Sequence, residues 1–418
     1  MKKNVLIVLL IFFIFFVISF LSNILGPIIP DILNSFDLGI GLAGFLPFSF
    51  FVSYGIASIP GGILVEKYKE KKVLLLAFFL AFFGALLFAM IPIFPIALLS
   101  LFIIGTGMAM LQVVINPLLR VAGGGKNFAF NSVMAQLFFG GASFLSPMLY
   151  TYFVQNVHSG ESSNFIIDFI NKVVPSDMKW VSLYWVFAVV ALLMILIIYA
   201  VKFPKVELED DERIEIGSAF KELLKNKQVV LFFLGIFCYV GTEQGIANWT
   251  SKYLQITHNV DPATQGASII SYFWGLLTIG CILGLILLKF FDSRKVLIFF
   301  SIGAIISLLL ALFGPLSVAL ICFPLTGFFA SVMWSIIVSL ALNSVPSHHG
   351  TFSGILCTGI AGGAFVPLII GGLGEVFGLQ LAMLFLLVTL GYILSIGIWA
   401  KPLVNNSTVK SWREIFNV

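Results

Sequence analysis

One acidic side chain of this 418-residue sequence, Glu243, is predicted to lie deep inside a hydrophobic segment. It belongs to the stretch YVGTEQGIANW, from Tyr239 to Trp249, and the sequence before it is apolar back to Val229. A carboxylate at the centre of a bilayer costs roughly 2.5–3.5 kcal/mol on insertion scales, so such a residue usually faces a protein interior or a water-filled path. Without a Lys or Arg at that depth, the carboxyl group should be protonated or bind a cation. Both states offer a route to ion coupling at Glu243. The alternative is a permanently protonated side chain that only forms hydrogen bonds to neighbouring helices.

A second group of candidate residues consists of amides and tryptophans inside hydrophobic segments. Gln112 and Asn116 are four residues apart, as are Gln244 and Asn248, so each pair shares one face of a helix. Amides both donate and accept hydrogen bonds, which suits vicinal sugar hydroxyls, and an aromatic face suits the apolar face of a pyranose. The pattern predicts a site for a neutral sugar made of Asn23, Gln112, Asn116, Gln136, Gln244, Asn248, Trp249 and Trp334. For each residue alone, hydrogen bonding between helices or anchoring at the membrane interface is the alternative.

The composition determines which elements position these residues. Hydrophobic residues make up 60% of the chain and charged residues 10%, whereas a soluble domain has about 25% charged residues. The chain is therefore predicted to be a polytopic membrane protein. A spanning helix needs about 20 apolar residues. Twelve segments meet this requirement, at roughly 5–26, 39–63, 73–92, 95–119, 128–154, 180–203, 229–256, 265–290, 295–314, 317–343, 351–372 and 377–400.

The Lys and Arg residues predict the orientation and the division of the chain. With the N-terminus in the cytoplasm, all of the 23 Lys and Arg residues except Lys172, Lys179 and Lys252 fall on the cytoplasmic side. This is the positive-inside pattern, and it accounts for the net charge of +4 without nucleic acid as a partner. The predicted domains are an N-terminal six-helix bundle (1–203), a cytoplasmic linker (204–228) and a C-terminal six-helix bundle with a short cytoplasmic tail (229–418).

Two short patterns indicate that the halves are repeats of a known kind. The fifth segment contains GGASFLSP from Gly140, and the eleventh, at the matching position of the other half, contains GGAFVP from Gly362. Parallel six-helix repeats are characteristic of major facilitator transporters. The loop GILVEKYKEKK resembles the major facilitator signature Gly-x-x-x-Asp-Arg-x-x-x-Arg-Arg, with Glu for Asp and Lys for Arg. The resemblance implies a cytoplasmic conformational latch made of Gly62, Glu66, Lys67, Lys71 and Lys72.

Nearly the whole chain resembles the fucose permease-like branch of the major facilitator superfamily. The most specific part is the Tyr-Val-Gly-x-Glu run that ends at Glu243, and the run NILGP from Asn23 adds to it. The resemblance implies an all-α membrane protein of twelve transmembrane helices in two pseudo-symmetric six-helix bundles, with both termini cytoplasmic, in the bacterial inner membrane. It also implies a rocker-switch carrier whose central site is lined by the first, fourth, seventh and tenth helices.

The sequence departs from this branch at three positions. Fucose permeases carry an Asp in the first helix and a Glu in the fourth, both tied to proton coupling and sugar binding. Asn23 and Gln112 stand at these places, and Cys281 stands where the family commonly has an Arg. Glu243 is therefore the remaining candidate for coupling to H+ or Na+, and an uncoupled facilitator is the alternative.

The predicted function is secondary transport of a neutral sugar, a monosaccharide or short glycan, by a monomer without a cofactor. Two other functions stay open at this point: an efflux carrier for drugs or other amphiphiles, and a membrane sensor that does not transport. An enzyme is not expected, because the hydrophobic segments show neither clustered metal ligands nor a nucleophile paired with a base.

Overall fold

The computed structural model of the chain describes residues 5–123, 128–160, 164–203, 218–345 and 349–403. Within these residues every regular element is a helix, and twelve helices are long and apolar enough to span a membrane, which confirms the predicted number. We number these spans 1 to 12 in chain order: Val5–Phe36, Ile40–Val65, Glu70–Met90, Phe94–Ile115, Met134–Asn156, Lys179–Ala200, Lys227–His258, Pro262–Phe290, Ser293–Phe313, Leu316–Leu342, Thr351–Phe377 and Leu379–Trp399.

Several spans consist of two helical pieces. Span 1 comprises Val5–Ser22 and Leu25–Phe36, and span 10 comprises Leu316–Ala330 and Met333–Leu342. The remaining α-helices within or around spans are Ile40–Ala43, Phe45–Tyr68, Glu70–Met90, Phe94–Gly123, Phe128–Asn156, Ser182–Ala200, Lys227–His258, Ala267–Phe290, Ser293–Phe313, His349–Thr358, Gly362–Phe377, Leu379–Ala382 and Phe385–Trp399. Two short helices, Phe165–Val173 and Ser218–Lys225, lie between spans.

The break in span 1 falls at Asn23 and follows from Pro27. A proline has no N–H, and its ring crowds the carbonyl four residues earlier, which here is the carbonyl of Asn23. The helix resumes at Leu25 and continues to Phe36 through Pro30. The predicted end of this span near residue 26 is therefore wrong. As a consequence Asp31 also lies within a span, so Glu243 is not the only acidic side chain placed in one.

The spans form two six-helix bundles, spans 1 to 6 and spans 7 to 12. In the first bundle span 4 packs against spans 2 and 3, and span 3 packs against span 6. In the second bundle span 10 packs against spans 8 and 9, and span 9 packs against span 12. These are the same relative positions, so the two halves repeat their helix packing. The predicted domain limits stay a prediction, because residues 204–217 of the linker lie outside the described part.

A cationic tie also repeats at the end of each bundle where spans 3 and 9 begin, which we call the inner end after the predicted orientation. In the first half Lys71, at the start of span 3, donates from Nζ to the carbonyls of Tyr199 and Val201, each at 2.8 Å, where span 6 ends. In the second half Arg294, at the start of span 9, donates from Nη1 to the carbonyl of Ala400 at 3.4 Å, where span 12 ends. Cations are favourable at the C-terminal carbonyls of a helix. Each tie therefore joins the third and sixth spans of its half.

Arg294 has a second partner in the loop before span 9. Its Nη2 lies 3.2 Å from Oδ2 of Asp292. The hydrogen bonds from Arg294 hold the pKa of the Asp292 carboxyl below its usual range. The charge on Asp292 therefore fixes the guanidinium that reaches span 12.

The predicted cytoplasmic latch is described only in part. Gly62 is buried at the inner end of span 2, and Lys67 and Lys72 are exposed. Lys71 forms the tie to span 6, and the side chain of Glu66 lies outside the described residues. A latch role for this loop therefore stays a prediction.

The two halves meet where glycines let helices approach closely. A Cβ at Gly26 of span 1 would lie 2.0 Å from the carbonyl oxygen of Ala247 in span 7. A Cβ at Gly140 of span 5 would lie 1.8 Å from Oγ1 of Thr278 in span 8, and one at Gly363 of span 11 would lie 3.0 Å from a ring atom of span 2. The two matching Gly-Gly-Ala runs thus form corresponding contacts, between spans 5 and 8 and between spans 11 and 2.

Packing within the first half can be tested at Gly105 of span 4. A Cβ at this position would lie 2.2 Å from the carbonyl oxygen of Phe50 in span 2. Gly105→Ala is expected to lower the free energy of unfolding by about 1–3 kcal/mol, the usual cost of overpacking, which a thermal melt in detergent would show. Gly391→Ala in span 12 is the control, because the described structure has no heavy atom within 4 Å of its Cβ position. Equal midpoints for the two variants would contradict the close packing of spans 2 and 4.

Candidate functional site

A chain of hydrogen bonds crosses between the halves at the break in span 1. Asn23 donates from Nδ2 to Oγ of Ser143 in span 5 at 2.9 Å and to Oγ of Ser19 at 3.3 Å. The two serine hydroxyls lie 2.5 Å apart. From the other half, Gln244 of span 7 donates from Nε2 to Oδ1 of Asn23 at 3.3 Å. All four side chains are buried, so polar groups join spans 1, 5 and 7 inside apolar surroundings.

Glu243 lies at the span 7 end of this chain, and each of its carboxylate oxygens accepts one hydrogen bond. The hydroxyl of Tyr239 donates to Oε2 at 2.6 Å, and Nε2 of Gln244 donates to Oε1 at 3.3 Å. The side chain is only partly buried. Both donors, the tyrosine hydroxyl and the glutamine amide, are neutral. Gln244 therefore contacts the carboxylate of Glu243 in its own span and the amide of Asn23 in the opposite half.

Asn248 bonds to a residue of its own helix, whereas Trp249 bonds to span 11. Asn248 donates from Nδ2 to the backbone carbonyl of Gln244 at 2.7 Å and to its Oε1 at 3.3 Å. Trp249 is fully buried and donates from Nε1 to the carbonyl of Pro367 in span 11 at 2.9 Å. Asn248 thus belongs to the polar chain, whereas Trp249 joins spans 7 and 11. A substrate contact of either residue stays a prediction.

Gln112 and Trp334 line a small cavity beside the polar chain. Its other lining residues are Tyr54, Ser58, Ala109, Val113, Cys357 and Ile360. The cavity has a volume of about 50 Å³, and a water molecule has a share of about 30 Å³ in the liquid. It therefore has room for one or two waters but not for a sugar. The centroid of the Trp334 ring lies 6.1 Å from that of Tyr239. The cavity therefore adjoins the tyrosine that donates to Glu243.

The two other predicted residues are not brought to this site by any described contact. Gln136 lies on the helix of span 5, two turns before Ser143, and its side chain is exposed. The side chain of Asn116 lies outside the described residues. Both remain predicted substrate contacts only.

Sequence reasoning missed Ser143, Tyr239 and the pair of Asp31 with Tyr150. The hydroxyl of Tyr150 in span 5 donates to Oδ2 of Asp31 at 2.6 Å, toward the outer end of span 1. Tyr239 was detectable, because it precedes Glu243 by four residues and so lies on the same helix face. Ser143 precedes Pro147 by four residues, as Asn23 precedes Pro27, and a proline at this distance leaves the carbonyl without its helical donor.

The bond from Tyr239 to Glu243 can be tested by its contribution to stability. Tyr239→Phe keeps the ring and removes the donor to Oε2. A buried acceptor that loses its partner costs about 1–3 kcal/mol, so the free energy of unfolding should fall by about that amount in a denaturant titration. Tyr184→Phe is the matched control, since the buried hydroxyl of Tyr184 has no hydrogen-bond partner within the described structure. Equal losses in the two variants would contradict a stabilising bond at Glu243.

Comparison with known proteins places the chain beside carriers of small molecules. Residues 11–366 match the family model of the Major Facilitator Superfamily. The chain is 29% identical over 383 residues to a glucose/galactose transporter of Brucella abortus, covering 89% of this chain and 88% of the relative. It is 25% identical over 369 residues to the L-fucose-proton symporter of Escherichia coli, covering 84% and 83% respectively. The crystal structure of the transporter FucP in the outward conformation has a TM-score of 0.68 at 23% identity, covering 96% of this chain and 100% of that one, a likeness of fold.

Proposed function

Because the chain belongs to the Major Facilitator Superfamily and to its fucose permease-like branch, we propose that it carries a neutral sugar across the membrane by alternating access. The Brucella relative is named for glucose and galactose and the Escherichia coli relative for L-fucose, which supports a monosaccharide as the substrate. The structural observation that carries the proposal is the neutral polar chain between the halves, with one carboxylate at its end.

The chemistry of the polar chain suits a polyhydroxylated ligand. Asn23 and Gln244 offer amide donors and acceptors, and Ser143 offers a hydroxyl. Four of their contacts are long, at 3.3 Å. Sugar hydroxyls also donate and accept, so they can replace these contacts one by one without leaving a buried group unsatisfied. An amphiphilic cation would satisfy Glu243 alone and leave the amides unpaired.

Substrate entry requires the halves to separate. The cavity beside Gln112 and Trp334 holds one or two waters, and Gly26 lies against the backbone of Ala247. A sugar can therefore reach Asn23 only when spans 1 and 7 move apart on one side of the membrane. This requirement favours a carrier that opens to one side of the membrane at a time over a continuous pore.

The surroundings of Glu243 favour a proton over Na+ as the coupling ion. The groups directed at its oxygens are the hydroxyl of Tyr239 and the amide N–H of Gln244, and both present hydrogen atoms. A metal ion would need oxygen ligands at these positions. A proton can bind a carboxylate oxygen with no further ligand, and neutral Glu243 then costs less within the apolar layer than the carboxylate does.

Uptake into proteoliposomes tests this proposal with a panel of labelled monosaccharides under imposed proton or sodium gradients. Wild type should accumulate at least one sugar, driven by the proton gradient. Glu243→Gln should retain sugar exchange but lose accumulation, because its side chain cannot bind and release a proton. Asp177→Asn, which changes an exposed acid in an outer loop, should accumulate like wild type.

Two results would overturn parts of the proposal separately. Accumulation by Glu243→Gln with unchanged pH and sodium dependence would remove Glu243 from coupling. Transport of lipophilic cations without binding or uptake of any sugar would remove the sugar and favour an efflux carrier.

Asn23→Ala tests the substrate role of the polar chain. If a sugar hydroxyl replaces the partners of Asn23, the loss of the amide should weaken sugar binding by about 1–3 kcal/mol, or roughly 5- to 150-fold in Kd. Titration calorimetry with the transported sugar measures this change. Asn156→Ala is the control, because the side chain of Asn156 donates to the carbonyl of Tyr152 on its own helix. Unchanged affinity in Asn23→Ala would leave Asn23 with a helix-packing role alone.

A further inference from the structure

The outer ends of spans 2 and 11 carry a bond between the halves that the polar chain does not include. Oε2 of Glu375, in the last turn of span 11, accepts a hydrogen bond at 3.0 Å from the backbone N–H of Gly41, at the start of span 2. Gly39 lies against the same carboxylate, since a Cβ there would lie 2.8 Å from Oε1. Span 2 belongs to the first half and span 11 to the second, so this side chain bridges them.

The surrounding contacts show that the bond depends on a closed outer seam. A Cβ at Gly44 of span 2 would lie 2.9 Å from Cα of Leu368, and one at Gly371 would lie 3.1 Å from the carbonyl oxygen of Ile40. Spans 2 and 11 thus touch backbone to backbone at this end. Any movement that opens the outer side must separate these backbones and break the bond of Glu375.

The position of Glu375 allows the bond to form and break readily. Its side chain is exposed. It lines an outer cleft of about 500 Å³ together with Asp37 and Lys252. Water from this cleft can hydrate the carboxylate when the seam opens, so the charge is not left buried without a partner. Lys252 donates to Oε1 of Gln255 at 2.9 Å and forms no ion pair with Glu375 within the described residues.

We propose that Glu375 is an outer latch, which holds span 2 against span 11 while the outer side is closed and releases it when the carrier opens outward. The contact is short enough for a hydrogen bond and ends on a charged acceptor, which makes it stronger than a bond between neutral groups. Its loss should therefore raise the outward-open population relative to the closed one. This inference concerns the conformational equilibrium and does not depend on the identity of the substrate.

Distance measurements between the halves test the outer latch without any sugar. Spin labels at Ser176→Cys and Pro315→Cys, both exposed in outer loops of opposite halves, report the outer separation by pulsed electron resonance. Cys238, Cys281, Cys322 and Cys357 are replaced beforehand. Glu375→Ala should increase the ratio of the long-distance to the short-distance population about threefold to tenfold. Glu375→Gln, which keeps an acceptor and loses the charge, should give a smaller increase.

Neighbouring residues provide a second test, Gly39→Ala, and two controls, Gly41→Ala and Asp37→Asn. Gly39→Ala should act like Glu375→Ala, because its Cβ would displace the carboxylate. Gly41→Ala should leave the distances unchanged, since its nearest contact is the Cβ of Glu375 at 3.7 Å. Asp37→Asn, which removes a neighbouring charge in the same cleft, should also be silent.

Two outcomes would overturn the outer latch. One is an unchanged distance distribution in both Glu375→Ala and Gly39→Ala. The other is an equal shift in Gly39→Ala and Gly41→Ala, which would assign the effect to bulk at the seam. Thermal midpoints close to wild type show that each variant is folded, and a failed sugar assay would leave these readouts unaffected.

Discussion

Polar side chains inside an apolar layer must satisfy one another, and the rest of this structure depends on that requirement. Each oxygen of Glu243 has a donor, and one of these donors, Gln244, also serves Asn23 in the opposite half. Separation of the halves at this depth would leave donors and acceptors open, each at a cost of about 1–3 kcal/mol. Only water or a hydroxylated ligand can then take their place. The same polar groups thus hold the two halves together and favour a hydroxylated ligand when the halves separate.

The fold could largely be predicted from the sequence, because its signals are local and repeated. Long apolar runs mark the spans, and the distribution of Lys and Arg marks their alternation. The prediction failed in span 1, because a tertiary contact extends the helix beyond the break that the proline causes. Pro27 breaks the helix at Asn23 as expected for a proline. The chain nevertheless resumes a helix up to Phe36, because that piece packs against span 7.

The residue types of the polar chain could be predicted from the sequence, but their hydrogen-bond partners could not. Spacing placed Gln244 and Asn248 on one helix face, and they do bond to each other. One partner of Asn23 in its own half, Ser143, is 120 residues away in sequence, and no spacing rule reaches that far. Trp249, which is predicted to contact a sugar, donates to the carbonyl of Pro367 and so joins spans 7 and 11. Which atoms meet depends on how helices from different parts of the chain are packed.

The ties made by Lys71 and Arg294 have a mechanical consequence. Each one fastens the third and sixth spans of a half at the inner end, and neither pair takes part in the close approaches described between the halves. Helices fastened in this way act as a stiff frame that transmits torque with little internal shear. Bending during a transport cycle would then concentrate in spans outside these frames, such as the broken spans 1 and 10. Loss of one tie would allow the third and sixth spans of that half to move separately. The motion of the halves would then be weakened without a change in substrate affinity.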